Sequence, residues 1–196
     1  MTRHLYTELL SLQMIGIIVG VVLVGLHIYA LMKPTEVKGF LKEFPRHKNI
    51  GIGILAVDLI WSLWLLNRVD LGEFHNLRQP LQIILPVAFF LVIVFVDEFL
   101  AVRALGVLML LLACPILDIA FLKPPVSRLF LSALAYIWIV AALFWVGMPY
   151  VLRDQIGWAS KSEGRWKALA TAGVAYGALI LVCAFLFWSE AKMTAM

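Results

Sequence analysis

The chain has 196 residues, 63% of them hydrophobic and 14% charged, against roughly 45–50% apolar and about 25% charged usage in soluble domains. With a mean hydropathy of +0.97, so few charges could not cover the outside of a water-soluble fold. The net charge of +4 does not point to nucleic acid, because Lys and Arg collect in short connectors and form no basic patch interleaved with aromatics.

These bounds predict an integral membrane protein of the all-α class, a bundle of about six transmembrane helices forming one polytopic domain over residues 1–196. A span needs about 20 predominantly apolar residues. The first is expected over 12–32. The apolar run from Leu9 to Met32 exceeds the roughly 7–15 residues of a signal-peptide core, so the segment reads as a retained span. Lys33-Pro34 ends it, since proline disfavours helix in the residue before it. In the connector that follows, Val37, Phe40, Leu41 and Phe44 recur at helical spacing while Lys38 and Lys42 take other faces. This predicts a short amphipathic helix on the membrane surface, stopped by Pro45.

The second span is expected over 50–66, followed by a polar connection from Asn67 to Pro80. From Leu81 to Leu122 run 42 residues interrupted by charge only at Asp97, Glu98, Arg103 and Asp118, about 63 Å if helical and twice a hydrocarbon core of about 30 Å. Two spans, 81–96 and 104–122, with a tight turn near Asp97–Gly106 account for that length. Lys123-Pro124-Pro125 then precedes a fifth span over 129–151. A polar loop from Arg153 to Lys167 leads to the sixth, over 168–188.

With six spans, the side holding both termini carries six of the sixteen Lys and Arg residues, and the connectors after spans one, three and five carry ten. The positive-inside bias places those three connectors in the cytoplasm and both termini outside. The brevity of the chain and the absence of targeting tails make a bacterial-type inner membrane the expected location.

Ionisable groups inside a span are costly and therefore informative. Asp58, midway through span two, is the leading candidate, and His27 in span one lies at nearly the same depth. Consecutive spans usually pack together, so His27 and Asp58 are expected to meet as an intramembrane polar site. Asp97, Glu98, Arg103 and Asp118 form a second candidate group, a charged cluster at headgroup level. Two GxxxG elements, Gly16–Gly20 and Gly173–Gly177, allow close backbone approach in helix packing. Cys114 and Cys183 have no metal spacing and read as small buried hydrophobes.

No nucleophile elbow, HExxH, Walker or dinucleotide motif is present. His27 alone lies deep in a span, whereas haem held between spans commonly takes two histidines. No metal or other cofactor is expected. The partners expected are the lipid bilayer and other membrane subunits or a second copy of the chain, with no nucleic acid. Three functions fit: foremost a non-catalytic subunit or scaffold of a membrane complex, then a small transporter or channel working through Asp58 and His27, then a lipid-modifying enzyme using the Asp97–Arg103 cluster.

Overall fold

The computed structural model describes residues 6, 10–96, 99–121 and 125–188, and among them there is no strand. Six helices are long and apolar enough to cross a membrane, and two shorter ones lie between them. In chain order the helices are α1 (Leu12–Met32), α2 (Pro34–Glu43), α3 (Lys48–Arg68), α4 (Arg78–Phe95), α5 (Leu100–Ala120), α6 (Arg128–Gly147), α7 (Tyr150–Ser160) and α8 (Glu163–Leu186).

The helix ends follow from local chemistry. Ser11 caps α1 by accepting a hydrogen bond from the Met14 N–H at 3.2 Å, which satisfies one of the free donors of the first turn. Pro34 opens α2, where its missing N–H costs nothing. A 3₁₀ turn over Phe44–Arg46 then carries the chain into α3. Between α4 and α5, Phe99 adopts a left-handed backbone (φ 58°), reversing the chain within a few residues.

The core is built from an antiparallel α1–α8 seam and a second group in which α3 and α5 run parallel and α6 packs antiparallel to α5. The start of α1 lies against the end of α8, with Gly16 beside Trp188 and Ala184 and Gly20 beside Gly177 and Leu181. α5 carries more buried residues than any other helix and packs between α3 and α6. At its start, Gly51 of α3 lies directly on the backbone of Leu100 and Ala101. α4 touches chiefly α3 and has no buried residue among its 18. At the end of the bundle where α3 and α5 begin, Phe44, Leu152 and Ile156 pack with Ala101 and Val102, so α2, the 3₁₀ turn and α7 form a layer over that end.

Three sequence expectations are corrected here. The fifth apolar helix stops at Gly147, not at residue 151, because Met148 precedes Pro149 and takes a non-helical conformation (φ −130°, ψ 74°). The segment expected as a polar loop from Arg153 is largely the helix α7, whose buried Leu152 and Ile156 stand one turn apart. Cys183 is buried but Cys114 is exposed. It points away from the face that carries Ala113, Pro115 and Ile116 into the core.

Candidate functional site

Asp58 is the middle residue of α3. Gly51, Leu55 and Asp58 fall within a narrow sector of that helix, at i, i+4 and i+7. Gly51 and Leu55 pack on Leu100, Ala101 and Ala104 of α5, so the same face brings Asp58 into the α3–α5 seam. Its relative exposure is 0%, and neither carboxyl oxygen has a hydrogen-bond partner. Buried polar groups in folded proteins are nearly always satisfied, which makes this carboxyl the most anomalous group among the described residues.

The contact expected between Asp58 and His27 is not made. α1 packs along α8 and α3 packs along α5, so equal depth does not bring the two side chains together. His27 instead rests on Gly173 of α8, where a side chain would collide with the imidazole. Its Nδ1 lies 2.7 Å from the Leu23 carbonyl oxygen. A carbonyl only accepts, so Nδ1 carries the hydrogen and, in the neutral ring, Nε2 is left as an acceptor. His27 lines a cavity of about 700 Å³ between α1, α2, α7 and α8. The sequence signal for this cavity was the amphipathic pattern of α2. Trp166, Ala159 and Leu169 on the far wall had no signal of their own.

A network near the opposite end of the seam was not foreseen. The Tyr6 backbone N–H donates to Asp118 Oδ2 at 3.2 Å, and Trp61 Nε1 donates to the Tyr6 hydroxyl at 3.0 Å. The Tyr6 ring lies 5.9 Å from that of Trp64. Tyr6 therefore bridges α3 and α5. It stands outside the apolar helices, and burial lifts its phenol above the ordinary value of 10.0, partly offset by the Trp61 hydrogen bond. Tyr6→Phe is expected to lower stability by about 1 kcal/mol through the lost acceptor for Trp61. Thermal unfolding in detergent checks this, and an unchanged transition would mean that the bond contributes nothing.

The charged cluster divides differently from its place in the sequence. Arg103 Nη1 donates to the Val146 carbonyl at 3.1 Å, so it caps the last turn of α6, where carbonyls lack intrahelical donors. Asp118 is the acceptor for Tyr6. Asp97 and Glu98 lie outside the described residues. Of the glycines, Gly20 and Gly177 sit face to face, an added Cβ on either meeting the other's carbonyl oxygen at 3.1 Å. Gly16 receives the Trp188 ring and Gly173 the His27 ring. Each glycine thus holds the α1–α8 seam or fixes a side chain within it.

No group of three or more His, Cys, Asp or Glu side chains suited to a metal ion occurs among the described residues. Compared with protein-family models, curated proteins and solved structures, the chain matches none of them.

Proposed function

We propose that this is a multi-pass membrane protein, its six apolar helices crossing the bilayer with both termini outside the cytoplasm, and that it is a small proton-coupled transporter working through Asp58. The observation that carries this reading is the fully buried carboxyl without a hydrogen bond. Asp58 stands ten residues from each end of α3, about 15 Å of helix either way, which is the depth of a bilayer midplane. A carboxyl kept there for structure alone would be paired, because an unpaired one costs several kcal/mol. A bound proton removes the charge and with it most of that cost, leaving the smaller penalty of a neutral carboxyl without a hydrogen bond. The proton is the best fit, since a metal cation would require several further oxygen ligands.

Both ends of the seam are closed, by Gly51 on Ala101 at one and by Tyr6 between Trp61, Trp64 and Asp118 at the other. Opening one closure at a time would expose Asp58 first to one side and then to the other. The infrared difference between acidic and alkaline buffer is expected to contain a carboxylic C=O band that disappears in Asp58→Asn. A full-strength band in that mutant would remove Asp58 from the mechanism.

One observation favours a second reading, a subunit of a larger membrane complex: α4 is apolar from Ile83 to its end and buries none of its 18 residues within this chain. Native mass spectrometry of the gently extracted protein separates the two. Stoichiometric additional chains support the subunit, and a protein carrying lipid alone supports the transporter.

A further inference from the structure

The layer over the α3 and α5 starts does not lie flat on the bundle. Beneath α2 is the cavity of about 700 Å³, walled by Leu26, Ala30, Phe40, Leu41 and Leu169, with His27 also in its lining. Leu26, Phe40 and Leu169 are exposed, so the walls are accessible. The volume falls within the roughly 300–1,000 Å³ of small-molecule sites. It is too short for a protein segment: a helix about 10 Å across would fill it within about 9 Å of its length, less than two turns.

Glu36, the acid in the cavity lining, is held by Lys33 at 2.9 Å and adds no net charge to the rim. Farther out, Glu163 faces Lys167 at 3.8 Å, and Glu43 stands beside both Lys42 in sequence and His47 at 3.7 Å. Lys38 and Lys42 have no carboxylate partner among the described residues. The Lys38 ammonium lies 5.2 Å from the centre of the Trp166 ring. That indole is itself fixed as a cavity wall, its Nε1 donating to the Ala30 carbonyl at 2.9 Å. An unneutralised lysine thus stands where an apolar chamber meets the surface.

We propose that this cavity binds one acyl chain of an anionic phospholipid, with the lipid phosphate against Lys38. The apolar walls offer nothing to a small hydrated anion, and an uncharged lipid would leave Lys38 without a counter-ion. This inference does not depend on Asp58 being a proton site.

The full-length protein in detergent micelles, mixed with equal amounts of phosphatidylglycerol and phosphatidylcholine, tests it by native mass spectrometry. One phosphatidylglycerol is expected to be retained, preferred about five-fold over phosphatidylcholine, as suits a single basic contact at a membrane surface. Lys38→Gln should bring the two lipids to parity. Leu169→Trp, projecting a larger ring into the chamber, should remove both lipids without lowering the melting temperature, and Ala159→Phe fills the space from α7 if the first variant fails to fold. Equal retention by the unaltered protein, or a preference that survives Lys38→Gln, overturns the proposal. So does displacement by glycerol phosphate, which would make this a phosphate site, or a dimer in place of a lipid adduct.

Discussion

Leucine at position 58 is expected to make the protein more heat-stable in detergent while abolishing proton movement. The two effects have one origin. Asp58 is completely buried and its carboxyl oxygens are bonded to nothing, and a buried polar group left in that state costs about 1–3 kcal/mol. Leucine branches at Cγ as aspartate does and has no polar atom to satisfy. Its larger methyls add some crowding, and well-packed cores resist added volume by a comparable amount, so the net gain is expected near the low end of that range. Proton flux into vesicles under an imposed pH gradient should fall to the rate of protein-free vesicles. A clear drop in melting temperature together with normal flux would mean that Asp58 is a structural group with a partner, and the transport reading would fall with it.

The second large effect is expected from a single methyl group. A Cβ on Gly51 would lie 2.7 Å from the Ala101 backbone nitrogen and 3.0 Å from the Leu100 carbonyl carbon. These are main-chain atoms in the first turn of α5 and cannot rotate aside. Gly51→Ala must therefore move α3 away from α5, at about 1–3 kcal/mol, and open the seam that encloses Asp58. Gly53, two residues along the same helix, has nothing within 4 Å of the equivalent position. Gly53→Ala is expected to be neutral or to stabilise by up to about 1 kcal/mol, the helix-propensity gain alone. Paired melting curves decide the matter. Equal behaviour of the two variants would mean that the α3–α5 contact does not limit stability.

What could be read from the sequence was set mostly by hydropathy. Six apolar stretches give six apolar helices, and Lys33-Pro34 marks the end of the first. The excess length between Leu81 and Leu122 pointed to a break, but α5 is already helical at Leu100, inside the turn expected over 97–106. α8 begins at Glu163 rather than at 168. The amphipathic spacing of Val37, Phe40, Leu41 and Phe44 is found in α2 and the turn that follows it. α7 was missed because Arg153, Asp154 and Gln155 resemble a loop, and only Leu152 and Ile156 are buried.

Lateral neighbours were the harder problem. Depth along a helix follows from counting residues, but which helix stands beside it depends on shape. Gly20 and Gly177 let α1 and α8 approach closely enough to become partners, which takes His27 to Gly173 and leaves Asp58 facing α5. The sequence identified Asp58 as costly, but only the packing reveals that no hydrogen bond among the described residues relieves that cost. Tyr6 was hidden for a related reason. The residues around Tyr6 show no periodicity in the sequence, so the place of Tyr6 between Trp61 and Asp118 had no pattern to betray it.

The pairing of α1 with α8 also sets the order in which the molecule can be completed. α8 begins about 130 residues downstream of the end of α1, which at about 5–20 residues per second is roughly 7–26 s of synthesis. Throughout that interval the glycine face of α1 waits without its mate, while α3, α5 and α6 are made in turn and are all complete before α8 begins. The first helix made is then the last to meet its neighbour. A chain cut short before Glu163 would keep its central bundle and leave α1 unpaired.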